Sequence, residues 1–292
     1  MKILFTGASG YLGRYVAPRL ALDHEVVGTY LSENAPLEGV RLVSLNLENV
    51  DAIRRLLDSE APDLIVHAAA ISQPGNCNVD PAKTERVNVD ATRLLAENAK
   101  RMIFISTDLV FDGTKPPYRE SDPVSPTSVY ARSKVNAECA VFEACEESII
   151  LRLSLGYGWK PVGKGMFCDQ LYRNIRSGEG MDLFSDQFRT ALYMKDMAEF
   201  IARIVKASDW PTGKDRLFHS GGRETLSRVE FGRVFCEAMK IDDTKIRVTP
   251  MAEKGVDAPP DCSLNSSRLI EFTGFTPRLL REAVADMALE IP

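Results

Sequence analysis

The chain has 292 residues, 45% hydrophobic and 26% charged, with a formal net charge of −5 at pH 7. That is ordinary globular composition, long enough for one large domain or two unequal ones around a substantial core. An acidic balance with no basic run argues against nucleic acid or an anionic membrane surface as a partner.

In chain order, KILFTG (2–7) is a short apolar run ending in Gly, and YLGRYVAPRLAL (11–22) carries apolar residues at helical spacing. Pro18 should kink that helix or lie near its first turn. HEVVGTY (24–30) and VRLVSLNL (40–47) predict strands, VDAIRRLLDS (50–59) a helix, and PDLIVHAAA (62–70) a buried strand. A long helix is expected over 81–100, opened by Pro81. RMIFIST (101–107) is a strand, 127–145 a helix capped by Thr127 or Ser128, and SIILRLS (148–154) a sixth strand.

Beyond about residue 155 the rhythm breaks. The Gly- and aromatic-rich stretch 156–167 predicts a loop, with Tyr157, Trp159 and Phe167 able to line a cleft or to anchor packing. Helices follow near 165–177, 195–207, 226–239 and 278–290, with strands near 214–219 and 245–249. Short apolar strands alternating with helices predict an α/β fold, a doubly wound parallel sheet with a smaller C-terminal α/β region. The expected division is 1–158 with 185–218 for the first domain, and 159–184 with 219–292 for the second.

Six cysteines form no CxxC pair and the three histidines lie far apart in sequence, so no metal site is expected. No run approaches a membrane span, and the opening MKILFTGASG has too few apolar residues for a secretory signal. The expectation is a soluble, cytoplasmic protein that binds no membrane.

TGASGYLG (6–13) lies between the first strand and the first helix, with Gly7, Gly10 and Gly13 in a G-x-x-G-x-x-G pattern. One glycine permits the tight turn, one lets backbone approach a pyrophosphate, and one lets helix pack on strand. Ser9, Tyr11, Leu12 and Arg14 share this turn, and the helix start presents free N–H groups to phosphate. The second strand ends in Thr29 and Tyr30, where NAD-type folds place an acid; Glu33 falls too late. With Arg14 within reach of a 2′-phosphate, NADP(H) is preferred over NAD(H).

SVYARSKVNAE (128–138) sets Tyr130 and Lys134 one helical turn apart on one face. A phenol beside an ammonium can serve as a proton donor with its pKa lowered by the positive charge. Thr107, at the end of a strand, can hold a carbonyl oxygen by hydrogen bond.

Taken together, TGASGYLG, HAAA (67–70), RVNV (86–89), ISTDLVFDG (105–113) and YARSK (130–134) resemble the extended short-chain dehydrogenase/reductase superfamily. The stretch from 106 to 134 is similar to the dTDP-4-dehydrorhamnose reductase branch, with weaker likeness in 185–201 and 259–269. The resemblance implies a Rossmann-type fold, with Tyr130 and Lys134 as catalytic residues and Thr107 as the hydroxyl residue. It makes Asn88 a supporting residue, places Ala68, Ala69 and Ala70 close to the cofactor, and sets Asn46 and Leu47 beside the adenine. Asp108, Gln187 and Arg189 are expected on the substrate side. Two departures stand out: Ala131 replaces a usual Gly, and DAPPDCSL (257–264) lacks the Arg common in the reductases.

The implied activity is NADP(H)-dependent reduction of a keto sugar, with a nucleotide-activated 4-keto sugar as the substrate and a homodimer as the assembly. The same superfamily contains NAD-dependent epimerases. The chain is also similar to the beta subunit of methionine adenosyltransferase, a regulatory protein. Dehydratases carry Asp-Glu after the Thr; here Asp108 is followed by Leu109.

Overall fold

The computed structural model describes residues 1–32, 35–159 and 167–291. Glu33 and most of the Gly-rich stretch expected as a loop (160–166) lie outside the described residues. Contacts group the chain into two compact units. The first contains Met1–Val110, Val124–Arg152 and Ala198–Phe218; the second contains Phe111–Pro123, Leu153–Met197 and His219–Pro292.

The first unit is built on strands β1 (Lys2–Thr6), β2 (Glu25–Tyr30), β3 (Val40–Ser44), β4 (Leu64–His67), β5 (Met102–Thr107) and β6 (Ser148–Leu153). With an edge strand, Leu217–Ser220, beyond β6, the sheet order is edge–β6–β5–β4–β1–β2–β3. The β1–β2, β2–β3, β1–β4 and β4–β5 pairings are parallel. Ile3, Leu4 and Phe5, and Ile103 and Phe104, are fully buried, as expected for strands covered on both faces. The chain leaves β1 in both directions, toward β2 and toward β4, so the carboxyl ends of β1 and β4 flank a topological switch point.

Helix α1 (Gly13–Ala21) follows β1 and contains Pro18 as its sixth residue, inside the helix rather than in its first turn. Helix α2 (Val50–Glu60) is capped by the Asn49 side chain. The single helix expected over 81–100 is instead several pieces. A short helix, α3 (Pro74–Val79), precedes α4 (Pro81–Glu85), which is capped by Asp80. A π-helical turn over Arg86–Asp90 then leads into α5 (Ala91–Glu97). Helix α6 (Val129–Ala144) starts on Ser128, whose hydroxyl accepts from the Ala131 N–H at 3.1 Å. Its buried face carries Ala131, Ala137 and Ala140, small residues that let it lie close to the sheet.

The second unit holds helices α7 (Phe167–Ser177), α9 (Arg228–Met239), α10 (Ser267–Thr273) and α11 (Leu280–Met287), with α8 (Met194–Lys206) beginning in it. Its paired strands are short: Met181–Phe184 with Ile246–Thr249, Gly156–Tyr157 with Leu192–Tyr193, and Phe188–Arg189 with Leu226–Ser227.

The contact grouping differs from the expected division. Residues 111–123, 153–158 and 185–197 belong to the second unit. Phe111 stacks on Tyr118 with centroids 4.0 Å apart, and Tyr118 exchanges backbone hydrogen bonds with Ser263 and Asn265. The Phe188 N–H donates to the Pro260 carbonyl at 2.7 Å. Tyr157 stacks on Tyr193 and meets Phe231 edge-on, and Phe167 also packs on Phe231. Trp159 packs edge-on against Tyr172, so these aromatics anchor a core.

No helix among the described residues is long and apolar enough to cross a membrane.

Candidate active site

The glycine turn sits at the switch point. Gly7 adopts φ +76, and a Cβ there would stand 2.9 Å from the Ala69 Cα. Backbone of the turn and backbone of the HAAA segment therefore touch, which only glycine permits. A Cβ on Gly13 would lie 2.4 Å from the Ala8 carbonyl oxygen, so helix start and turn also pack backbone to backbone. Gly10 is exposed, its N–H bonded to the Gly7 carbonyl at 3.0 Å. This cradle and the N-terminus of a nine-residue helix fit a dinucleotide pyrophosphate.

Several expected cofactor contacts carry structural duties as well. Thr29 is buried; its hydroxyl accepts from the Gly7 N–H at 3.3 Å and its carbonyl from the Ala8 N–H at 2.8 Å. It braces the turn from beneath, and Tyr30 is half-buried at the strand end. Arg14 folds back to donate from Nε to the Ser9 carbonyl at 3.1 Å. Asn46 is exposed and accepts from the Glu48 N–H at 3.0 Å, while Leu47 is packed into the core. Ala68 and Ala69 hydrogen-bond through their N–H groups to the Thr6 carbonyl and hydroxyl.

The structure brings Thr107, Tyr130 and Lys134 together within the first unit. Thr107 ends β5, and its hydroxyl is near enough to the Tyr130 phenol to oppose the rise in its pKa. That hydroxyl also donates to Asp108 at 3.3 Å and accepts from the Leu109 N–H at 3.2 Å. Lys134, one turn beyond Tyr130, is buried; its Nζ donates to the Ile105 carbonyl at 2.7 Å and lies 4.0 Å over the Phe104 ring.

Asn88, on the π turn, is fully engaged. Its amide accepts from the Ile71 N–H at 2.8 Å and donates to the Ile71 carbonyl and to Ser133 Oγ, both at 3.0 Å. Ser133 donates in turn to the Tyr130 carbonyl at 2.8 Å. The extra residue of the π turn aims the Asn88 side chain at both the loop after β4 and the helix carrying Tyr130.

In the second unit, Gln187 donates to Met251 Sδ and accepts from Arg228 Nε at 2.8 Å. Arg189 is buried, and its guanidinium donates to the carbonyls of Phe188, Pro259 and Pro260. These contacts tie the DQFRT strand to the proline loop. Arg189, expected on the substrate side, thus also serves to brace backbone.

The family model for the RmlD substrate binding domain matches residues 1–291. The chain belongs to that family. Among sequence relatives, methionine adenosyltransferase 2 subunit beta of Pongo abelii is 28% identical over 278 residues, covering 92% of this chain and 81% of its own length. Spore coat polysaccharide biosynthesis protein SpsK of Bacillus subtilis (strain 168) is 28% identical over 301 residues, covering 99% and 97%. A crystal structure of dTDP-4-dehydrorhamnose reductase from Yersinia enterocolitica has a TM-score of 0.82 and 26% identity, covering 100% and 99% of the two chains. This RmlD-family chain thus has the Rossmann-type α/β fold of the extended short-chain dehydrogenases/reductases.

Burial sets the ionisation of this RmlD-family site. Burial pushes the Tyr130 phenol well above its ordinary range, the nearby Thr107 hydroxyl works the other way, and Asp108 and Cys77 add to the rise. This reverses the expectation of a phenol lowered by Lys134: the Lys134 ammonium is directed at the Ile105 carbonyl. Lys134 itself is pushed down to about 7 by burial, with Glu138 pulling it back up. Between pH of about 7 and about 10, the unfolded chain therefore holds a proton that the folded chain has released. Unfolding takes up that proton, so the folded state gains stability as pH rises through this window. Lys134→Met should flatten that rise, measured as urea midpoints at pH of about 6.5 and about 9.5; an unchanged slope would show that Lys134 stays charged when folded.

Sequence reasoning missed several residues around this site. His67 is buried neutral at the end of β4, its pKa pushed down to about 3, chiefly by burial. Its Nδ1 lies 2.5 Å from Thr6 Oγ1 and its Nε2 2.8 Å from Thr92 Oγ1. Thr92 already donates its proton to the Asn88 carbonyl at 2.7 Å, so the His67 proton sits on Nε2 and Thr6 donates to Nδ1. A polar chain thus runs from β1 through His67 and Thr92 to Asn88. The signal available was a histidine and two threonines inside apolar runs. Glu138 and Arg152 form a buried bidentate pair behind Lys134, at 3.0 and 2.7 Å. The four-residue step from Lys134 to Glu138 was visible in the sequence.

Proposed function

We propose that this protein is an NADP(H)-dependent reductase of a keto sugar, with a nucleotide-activated 4-keto sugar as its substrate class and Tyr130 as the general acid. The observation that carries this reading is the placement of Thr107 at the end of β5 beside the Tyr130 phenol, with Lys134 one turn along the same helix. A bound nicotinamide would supply hydride. The glycine turn would hold its pyrophosphate, and Lys134 its ribose.

Tyr130, kept protonated by burial, would donate its proton to the carbonyl oxygen as negative charge develops there. Thr107 would hold that oxygen by hydrogen bond. A phenol whose pKa is raised suits the acid of a reduction better than the base of an oxidation. Asn88 and Ser133 would keep the Tyr130 backbone in place, a positioning role. The preference for NADP(H) rests on Arg14 and on the lack of an acid at Thr29 and Tyr30.

The test is NADPH oxidation by the purified protein with dTDP-4-keto-6-deoxy sugars. Stoichiometric oxidation supports the reductase reading. Copurifying NAD⁺ with sugar epimerisation and no net oxidation would replace it with an epimerase. The relation to methionine adenosyltransferase 2 subunit beta favours a second reading, a dinucleotide-binding regulatory subunit. Absence of turnover together with a copurifying enzyme would move the assignment there.

A further inference from the structure

Lys134 is enclosed by a defined set of groups. From β5 come the Ile105 carbonyl and the Phe104 ring. From β4 comes neutral His67, close enough to feel the lysine charge. Its own helix supplies Tyr130 and, one turn on, Glu138.

Glu138 is held on three sides. Ser106, the residue after Ile105, donates its hydroxyl to Glu138 Oε1 at 2.5 Å. Arg152 of β6 donates from Nε to the same oxygen at 3.0 Å and from Nη2 to Oε2 at 2.7 Å. All four side chains, Ser106, Lys134, Glu138 and Arg152, are buried. A buried ion pair is a poor device for stability alone, because apolar residues fill such a space at least as well. This one has a specific position: it fastens α6 to two adjacent strands one turn behind the lysine. It also sets a carboxylate one helical turn from an otherwise desolvated ammonium, whose charge it favours.

We propose that Glu138, clamped by Arg152 and Ser106, is a positioning residue whose fixed negative charge favours the ammonium form of Lys134 and holds it on the Ile105 carbonyl, two residues before Thr107. Arg152 holds both carboxylate oxygens and stops them from swinging onto the lysine. Ser106 holds helix and strand in the register that places Lys134 Nζ on the Ile105 carbonyl. The role in catalysis rests on the reductase reading; the effect on Lys134 does not.

The experiment follows the Lys134 ¹³Cε signal through a pH titration of the ligand-free full chain, assigned with Lys134→Arg. Glu138→Gln combined with Arg152→Met removes both charges at nearly constant volume, so the chain can remain folded. The Lys134 midpoint should fall by about one pH unit in this double variant. Ser106→Ala and Glu138→Asp, which keep the carboxylate charge, should leave it near the wild-type value. A folded double variant with an unmoved midpoint overturns the proposal, as does an equal fall in Ser106→Ala, which would mark general loosening. NADPH affinity across the same pH range separates the two readings. A wild-type chain that binds no NADPH while its Lys134 midpoint responds to Glu138 removes the reductase and leaves the positioning role intact.

Discussion

Tyr130→Phe should abolish most carbonyl reduction and leave dinucleotide binding intact. The substitution keeps the ring and its packing and deletes only the hydroxyl. Thr107 retains its bonds to Asp108 and the Leu109 N–H, so the end of β5 should not move. What disappears is the proton for the developing alkoxide, and general acid catalysis of this kind contributes about 10²- to 10⁴-fold in rate. kcat should fall by about that factor, with the NADPH dissociation constant unchanged, measured by steady-state kinetics and by nicotinamide fluorescence. Because burial holds the phenol protonated through the neutral range, the wild-type profile near pH 7 should report Lys134. A variant with unchanged kcat would place the acid elsewhere.

Gly13→Ala should have the largest effect on the cofactor cradle. Its Cβ would fall 2.4 Å from the Ala8 oxygen and 2.5 Å from both the Ala8 Cα and the Gly7 oxygen. All three are backbone atoms, and the backbone of this turn is fastened to Thr29. Relief requires the turn and α1 to separate. Overpacking of this kind costs about 1–3 kcal/mol, and the same displacement spoils the pyrophosphate cradle. A lower urea midpoint and a loss of at least about tenfold in NADPH affinity are expected. Gly75→Ala is the control: nothing lies within 4 Å of its Cβ position, so it should leave both quantities alone. Equal effects from the two variants would mean that the glycine turn is not specially constrained.

The sheet and the Tyr130–Lys134 helix were legible because their signals are local. Runs such as MIFIST and SIILRL are apolar without alternation, the mark of strands covered on both faces, and a four-residue step on a helix needs no tertiary information. The π turn was not legible, because 81–100 is periodic enough to pass as one helix and the extra residue shows only in its hydrogen bonds. The bracing bonds of Thr29 and Arg189 were hidden for a related reason. A threonine at a strand end and an arginine in a two-residue strand look the same whether they face a ligand or their own backbone. The rise in the Tyr130 pKa depends on how deeply the hydroxyl lies, which spacing does not encode.

The composition of the first unit bears on how the chain matures. Its last segment, Ala198–Phe218, follows long after Arg152. Arg216 donates to the carbonyls of Phe142, Cys145 and Glu146, and the Leu217–Ser220 strand covers the outer edge of β6. Until the ribosome has released that segment, Ile149, Ile150 and Leu151 belong to an open, apolar edge. A nascent chain of 1–152 should therefore need chaperone protection, and a recombinant fragment with that boundary should aggregate, although every residue of the proposed catalytic set lies within it.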